Sequence, residues 1–258
     1  MKVAFRLTSD SVIRVKNYTV PGYKNGWINI AVIEPKEQYT KELPALVFFH
    51  GGAFCLRASG AHYLLAKEYA RRLSCKVIYA DYRLAPKYPF PYALYDCFAA
   101  YKWTLENAEL PDIDINRIIV GGDSAGGNLA IGVIMLAMEQ KMLLPKVALL
   151  IYPVTDRRML TESMKEFTDT PVWNSVLNKK MWDLYFLDGT KNIDCASPME
   201  AASLIGFPQT YIEVAEFDCL RDEGIAFAEK LECVHTIGNK EISDIMEACR
   251  LRRSSTRR

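Results

Sequence analysis

Histidine is scarce in this chain, which has three in 258 residues: His50, His62 and His235. Imidazole is the usual general base near neutral pH, so base catalysis by histidine has only these three candidates. Neither sign of charge is in excess, because the formal net charge is +1. A near-neutral chain argues against a nucleic-acid or other polyanionic partner.

Long apolar runs and metal-binding cysteine spacings are also lacking. No stretch of 18 apolar residues occurs, and no apolar segment follows Met1 and Lys2, so neither a membrane span nor a secretory leader is expected. The seven cysteines form no C-x-x-C pair or other metal-binding spacing. Such an odd, dispersed set is typical of reduced thiols in a cytoplasmic protein, and no metal or cofactor is predicted.

The order of the hydrophobic residues predicts an α/β fold. Half of all residues are hydrophobic, which is enough for a large core. Alternating segments at 11–18 and 27–33 predict an antiparallel pair, and short β-branched runs then alternate with amphipathic helices. This pattern predicts a mostly parallel central sheet with helices on both faces, as a single domain over residues 1–258. Residues 157–205 break the rhythm with a helical, aromatic-rich segment. We interpret it as a reduced helical cap over the site, with an extra core helix as the alternative.

Two glycine-rich motifs follow predicted strands. The pentapeptide GDSAG at 122–126 lies between a strand and a helical pattern, which predicts a nucleophile elbow where only small residues fit two positions either side of the serine. The segment HGGAF at 50–54 follows an earlier strand, and an HGG element there supplies part of an ester hydrolase's oxyanion hole. Ser124 is therefore the candidate nucleophile. The candidate oxyanion donors are the backbone N–H groups of Gly51, Gly52 and Ala125.

The residues alone leave the acid open. Four acids follow the predicted strand at 210–215. Asp222 and Glu223 are interpreted as the N-cap and first turn of the next helix. Glu216 and Asp218 lie at the strand end, where a buried carboxylate could orient an imidazole, and spacing does not choose between them.

The base is open as well. His50 lies on the oxyanion side of the expected site, so we interpret it as a structural residue that shapes the loop. His62, on the helix after that loop, is a poor candidate. The usual chain order is nucleophile, then acid, then histidine, which also argues against His50 as the base.

These segments resemble the hormone-sensitive-lipase-like branch of the α/β-hydrolases, the bacterial carboxylesterase family. The resemblance covers residues 43–232 and rests on HGGAF at 50–54, DYRLAP at 81–86, PFP at 89–91, GDSAGGNLA at 122–130, YPVTD at 152–156, SP at 197–198 and EFDCLRDEG at 216–224. It implies that Ser124 is the nucleophile, that Asp218 is the acid and that Gly51, Gly52 and Ala125 form the oxyanion hole. It also implies hydrolysis of short acyl esters without a metal or cofactor.

Two features depart from that family. Its members usually carry additional N-terminal helices that join the cap, whereas this chain enters its first strand near residue 11, which predicts a more open site. They also place the catalytic histidine after a last strand, further beyond the acid than His235 lies, and no histidine follows His235 here. His235 is therefore a candidate for a relocated base, with a histidine of no catalytic role as the alternative.

The sequence thus predicts a cytoplasmic serine carboxylesterase that hydrolyses short-chain acyl esters through an acyl-enzyme on Ser124. The alternative is a catalytically impaired or truncated hydrolase scaffold that binds small acyl ligands with little turnover, and a peptidase or amidase would use the same triad. The expected partner is a small ester, with no nucleic acid or membrane. Because the last strand is missing, we expect either the tail at 233–258 to fold back as a substitute strand or a homodimer to pair across the open edge.

Overall fold

The apolar runs of the sequence form the strands of one seven-stranded sheet. A computed structural model describes residues 7–38, 40, 42–187 and 193–232. The strands are β1 (Ile13–Pro21), β2 (Trp27–Pro35), β3 (Leu43–Phe49), β4 (Lys76–Asp81), β5 (Ile113–Asp123), β6 (Val147–Ile151) and β7 (Gln209–Glu213). Their order across the sheet is β1-β2-β4-β3-β5-β6-β7. The pairs β1–β2 and β2–β4 are antiparallel and all others are parallel, so the predicted mostly parallel sheet is confirmed.

Helices cover both faces of the sheet, as predicted. They are α1 (Gly60–Leu73), α2 (Tyr92–Glu106), α3 (Ala125–Glu139), α4 (Glu162–Glu166), α5 (Ser175–Tyr185) and α6 (Arg221–Glu232). On one face, Ala66 and Ala70 of α1 pack in a small core cluster with β2, β3 and β4. On the other face, α2, α3, α5 and α6 share a larger cluster with the sheet. The continuous apolar pattern of the inner strands follows from this burial on both sides.

The parallel strands bring both glycine-rich motifs to one edge. His50 follows β3 and Ser124 follows β5, and these two strands are direct neighbours. Two hydrogen bonds link the strand ends beyond them: the N–H of Ser124 donates to Ile151 O at 2.8 Å, and the N–H of Tyr152 donates to Glu213 O at 2.6 Å. Ligands of open parallel sheets bind at the carboxyl ends of the strands, so this edge is where a site is expected.

The aromatic segment between β6 and β7 is tied into the core. Met181, Trp182 and Tyr185 of α5 are buried in the larger core cluster. The ring of Tyr185 stacks on Phe54, the last residue of the HGGAF segment, with ring centroids 3.8 Å apart. The inner face of α5 therefore behaves as a core helix that supports the HGG loop. That the segment 157–205 also covers the site as a cap stays a prediction.

The outer edge of β7 and the C-terminal tail are where the sequence predicts a substitute strand or a homodimer contact. Within the described ranges, no strand pairs with the outer edge of β7. The tail at 233–258 lies outside the described residues, so the substitute strand and the homodimer stay predictions. In the part of the chain that is described, no helix has the length and apolar content to cross a bilayer. Five cysteines in this part are free thiols: Cys55, Cys75, Cys97, Cys195 and Cys219.

A buried ion pair joins β2 to β4 far from the glycine motifs. Glu34 and Lys76 are each 1% exposed, and Lys76 Nζ lies 3.2 Å from Glu34 Oε2. Lys76 Nζ also donates to Pro111 O, while Glu34 has a second, half-exposed partner in Lys16 at 3.0 Å. Burial raises the pKa of Glu34, but its hydrogen bonds and ion pairs with Lys16 and Lys76 outweigh burial and hold the pKa below its usual value.

The two members of this pair should differ in their effect on stability. Glu34→Gln leaves the Lys76 ammonium buried beside neutral carbonyl oxygens with no countercharge from Glu34, so we expect it to lower the free energy of unfolding by about 3–5 kcal/mol. Lys76→Met should cost less, because Glu34 keeps Lys16. Urea denaturation of the wild type and both variants measures the difference, and equal losses would contradict the assigned pairing.

Candidate active site

Ser124 occupies a strained turn between β5 and α3. Its backbone has φ 52° and ψ −119°, a region that side-chain-bearing residues rarely adopt. The turn closes only because its flanking residues are glycines. A Cβ on Gly122 or Gly126 would overlap the carbonyl oxygen of Phe49 at the end of β3. The sequence prediction of a strand–turn–helix elbow with small residues on either side matches this geometry.

Backbone hydrogen bonds fix Ser124, while its hydroxyl has no partner among the described residues. Its carbonyl oxygen accepts from the N–H groups of Asn128 and Val154, both at 3.2 Å. The Asn128 side chain in turn donates to Val154 O and Ala196 O at 2.8 Å. Ser124 is partly exposed, and no side chain among the described residues hydrogen bonds to its Oγ. The hydroxyl is therefore positioned by the sheet and accessible from solvent.

The HGG loop offers a different set of free donors from the predicted one. The N–H of Gly51 donates to Asp123 Oδ1 at 2.9 Å, so in this structure it is not available to a substrate oxygen. Gly52, Ala53 and Phe54 have φ values of 120°, 56° and 56°, and the loop closes on itself through Gly52 O. Within the described ranges, the N–H groups of Gly52, Ala53 and Ala125 have no acceptor. Which of these N–H groups would bind a substrate oxygen stays a prediction.

His50 is a structural residue, as the sequence analysis interpreted it. It is fully buried, its Nδ1 donates to Gly51 O at 2.6 Å, and its ring stacks on Tyr82 at 4.4 Å. The Tyr82 hydroxyl donates to His50 O at 2.6 Å. Burial is the main cause that lowers the pKa of His50 to about 4, so the imidazole is neutral at physiological pH.

His62 is engaged at both ring nitrogens. Its Nδ1 accepts the N–H of Ser59 at 2.9 Å, and its Nε2 lies 3.4 Å from Asp123 Oδ2. Neither His50 nor His62 is thus free to serve as the base of Ser124. The remaining candidate, His235, lies outside the described residues, so its role stays a prediction.

The two candidate acids differ in burial. Asp218 is half-buried and its Oδ1 accepts the N–H of Leu220 at 3.0 Å, whereas Glu216 is exposed. Burial raises the pKa of Asp218. Burial is the main cause that raises the pKa of Tyr152, and the negative charges of Asp123, Glu213 and Asp218 raise it further. Asp218 is thus the more buried of the two candidate acids, and its role as the acid stays a prediction.

Glu223 has a role that the sequence analysis missed. Asp222 and Glu223 do lie in the first turn of α6, but the carboxyl of Glu223 points inward and is 1% exposed. Its Oε1 accepts the N–H groups of Thr155 and Asp156 at 2.6 and 3.3 Å, and its Oε2 has no partner among the described residues. The signal was present in the sequence, since Glu223 lies four residues before Phe227, on the buried face of the helix.

Burial is the largest cause that raises the pKa of Glu223, from 4.5 to about 8. Between about pH 4.5 and pH 8, Glu223 therefore keeps its proton in the folded protein but loses it in the unfolded chain. Because the unfolded chain binds fewer protons in this range, the free energy of unfolding should fall as pH rises from about 4.5 to about 8. Glu223→Gln should remove this part of the fall. Thermal unfolding at pH 5, 6, 7 and 8 checks it, with the exposed Glu216→Gln as the matched control. Parallel curves for wild type and Glu223→Gln would show that Glu223 is ionised throughout.

Comparisons with known proteins agree with this geometry. A profile described as the alpha/beta hydrolase fold matches residues 46–239. The carboxylic ester hydrolase LipN of Mycobacterium tuberculosis is 36% identical over 75% of this chain and 53% of its own length. The ethyl acetate hydrolase of Pseudomonas putida is 32% identical over 73% of this chain and 60% of its own. In structure, a bacterial heroin esterase superposes with a TM-score of 0.81 at 28% identity, over 96% of this chain and 86% of that one.

This chain thus spans a little over half the length of these two curated relatives. The profile covers most of the chain, and strands β4 to β7, the elbow and the HGG loop lie inside the matched region. The chain belongs to the α/β-hydrolase family, in its hormone-sensitive-lipase-like branch of bacterial carboxylesterases.

Proposed function

We propose that this protein is a serine carboxylesterase that works through an acyl-enzyme on Ser124. The observation that carries the proposal is the strained, partly exposed Ser124 at the same sheet edge as the N–H groups of Gly52, Ala53 and Ala125, which have no acceptor among the described residues. A weak nucleophile held next to preorganised N–H groups is the arrangement that acyl transfer needs.

In the proposed reaction, Ser124 Oγ attacks the carbonyl carbon of the ester while a base takes its proton. The carbonyl oxygen becomes an oxyanion, which accepts hydrogen bonds from the N–H groups of Gly52, Ala53 and Ala125. The C–O bond to the alcohol then breaks, and the alcohol leaves with the proton held by the base. Water adds to the acyl-enzyme in the same way and releases the acid and Ser124.

For the base we propose His235, with Asp218 to orient its imidazole. The support is indirect: both other histidines have ring nitrogens that are buried or engaged, and Asp218, in the loop after β7, is half-buried whereas Glu216 is exposed. Asp218 and Ser124 both follow strands whose carboxyl ends lie at one edge of the sheet. If His235 does not reach this edge, the chain is the impaired scaffold that binds acyl ligands with little turnover.

We propose short acyl esters as substrates, since one relative is an ethyl acetate hydrolase. Every step above uses protein groups and water, so the proposal includes no metal or cofactor. A cytoplasmic location is also proposed, and the free thiols of the described cysteines support it.

Ser124→Ala should abolish covalent labelling by an organophosphonate ester probe, because the probe captures the activated serine oxygen. Intact-mass spectrometry measures the single adduct on the wild type and its absence on the variant. The exposed Ser203→Ala is the matched control and should label like the wild type. Labelling of Ser124→Ala to the same extent would show that another residue is the nucleophile.

Asp218→Asn and His235→Ala should each lower kcat if they act as one unit with Ser124. General-base assistance is worth at least about 100-fold, and loss of the orienting carboxylate costs about 10⁴-fold in a serine protease. The kcat of the double variant should be no lower than that of the less active single variant, because the effects of residues that act as one unit are not additive.

Glu216→Gln is the control for the acid and should leave kcat unchanged. A loss with Glu216→Gln and none with Asp218→Asn would reverse the assignment. A wild type that labels slowly, together with an unchanged rate in His235→Ala, would favour the impaired scaffold.

A further inference from the structure

A chain of contacts runs from the start of α1 to the HGG loop. Ser59 precedes α1, and His62 is the third residue of that helix. The contacts continue from His62 Nε2 to Asp123 Oδ2 at 3.4 Å, and from Asp123 Oδ1 to the N–H of Gly51 at 2.9 Å. Asp123 directly precedes Ser124, so this chain joins three elements around the candidate nucleophile.

The contact with Ser59 fixes the tautomer of His62. A backbone N–H can only donate, so the N–H of Ser59 requires His62 Nδ1 to be an unprotonated acceptor. In the neutral ring the proton is then on Nε2, the atom that faces the Asp123 carboxylate. His62 is therefore held as a donor toward Asp123, with its side chain about one-fifth exposed.

The Asp123 carboxylate is also packed directly against the backbone of the HGG loop at Gly51. A Cβ at Gly51 would overlap Asp123 Oδ2, so the loop and the carboxylate touch directly. The Gly51 N–H is the first of the HGG loop, and Gly52 and Ala53 follow it with left-handed backbone. A shift of the Asp123 carboxylate would change where those two N–H groups point.

We propose that His62 is a positioning residue for the oxyanion hole: it holds Asp123, and Asp123 holds the HGG loop through Gly51. This inference rests on the proposed function, because an oxyanion hole acts only if Ser124 forms an acyl-enzyme. His62 touches neither the substrate nor the reacting atoms.

Two substitutions at one position separate this role from simple helix capping. Glutamate and glutamine at the third position of a helix both accept the N–H of an N-cap serine, so both keep the start of α1. Glutamine also offers an N–H to Asp123, whereas glutamate places a second carboxylate against it. We expect His62→Glu to lower kcat about 10- to 100-fold with little change in KM, because the misplaced donors act mainly on the transition state.

His62→Gln should keep most of the wild-type kcat. The matched control is Leu64→Glu, which adds the same charge to the same helix at an exposed position that does not share the face of His62. It should behave like the wild type. Adding Asp123→Asn to His62→Glu should recover part of the lost kcat, because asparagine keeps an oxygen for Gly51 N–H and gives an N–H to the new carboxylate.

Hydrogen–deuterium exchange of residues 50–56 gives a readout that does not depend on activity. We expect faster exchange in His62→Glu, and wild-type exchange in His62→Gln and Leu64→Glu. Equal kcat and equal exchange in the glutamate and glutamine variants would overturn the proposal, since His62 would then be a helix cap only. A wild type that neither labels nor turns over esters would refute the proposed function instead, and the exchange comparison would still decide the role of His62.

Discussion

The contact between the end of β3 and the turn after β5 is the constraint on which the site depends. Glycines at 122 and 126 let that turn lie directly against Phe49 O. The lack of a side chain at Gly51, two residues after β3, lets this residue lie directly against Asp123. Because both contacts involve backbone, the serine and the HGG loop are set relative to each other by the sheet itself. A side chain at any of these glycines would have to push two strands apart.

Polar contacts then fix the HGG loop where the sheet alone would leave it free. His50, the first residue of the loop, is buried and neutral, and its carbonyl oxygen accepts a hydrogen bond from the Tyr82 hydroxyl. Asp123 holds the Gly51 N–H from the side. The Gly51 N–H is thus used for structure, while the N–H groups of Gly52 and Ala53 have no acceptor among the described residues. Preorganised donors of this kind need no rearrangement when charge develops, which is why their fixed position matters.

The nucleophile end of the site could be predicted from the sequence because its signals are local. GDSAG and HGGAF each fit one turn, and the alternation of strands and helices places both at one edge. The use of Gly51 could not be predicted, since its partner Asp123 is 72 positions away. The start of β5 could not be predicted for a related reason: Ile113 pairs with Leu43 across an irregularity, and the residues between Ile113 and Ile118 are mostly polar. The buried face of α6 indicates from the sequence that Glu223 lies inward, but its hydrogen bond with Thr155, in another loop 68 positions away, could not be predicted.

The acid end of the site has a different support from the nucleophile end. The insertion between β6 and β7 holds the acid loop, because Ser163 Oγ donates to Cys219 O and the N–H of Ser163 donates to Asp222 Oδ2, both at 2.8 Å. The ring of Phe167 meets Phe217 at 6.5 Å, next to Asp218. Glu223 adds a buried link from α6 to Thr155. Ser124 is therefore placed by sheet backbone and Asp218 by side chains of the insertion. Substitutions in α4 should therefore move the loop that carries Asp218 without moving Ser124, and under the proposed function they would change catalysis through the position of the acid.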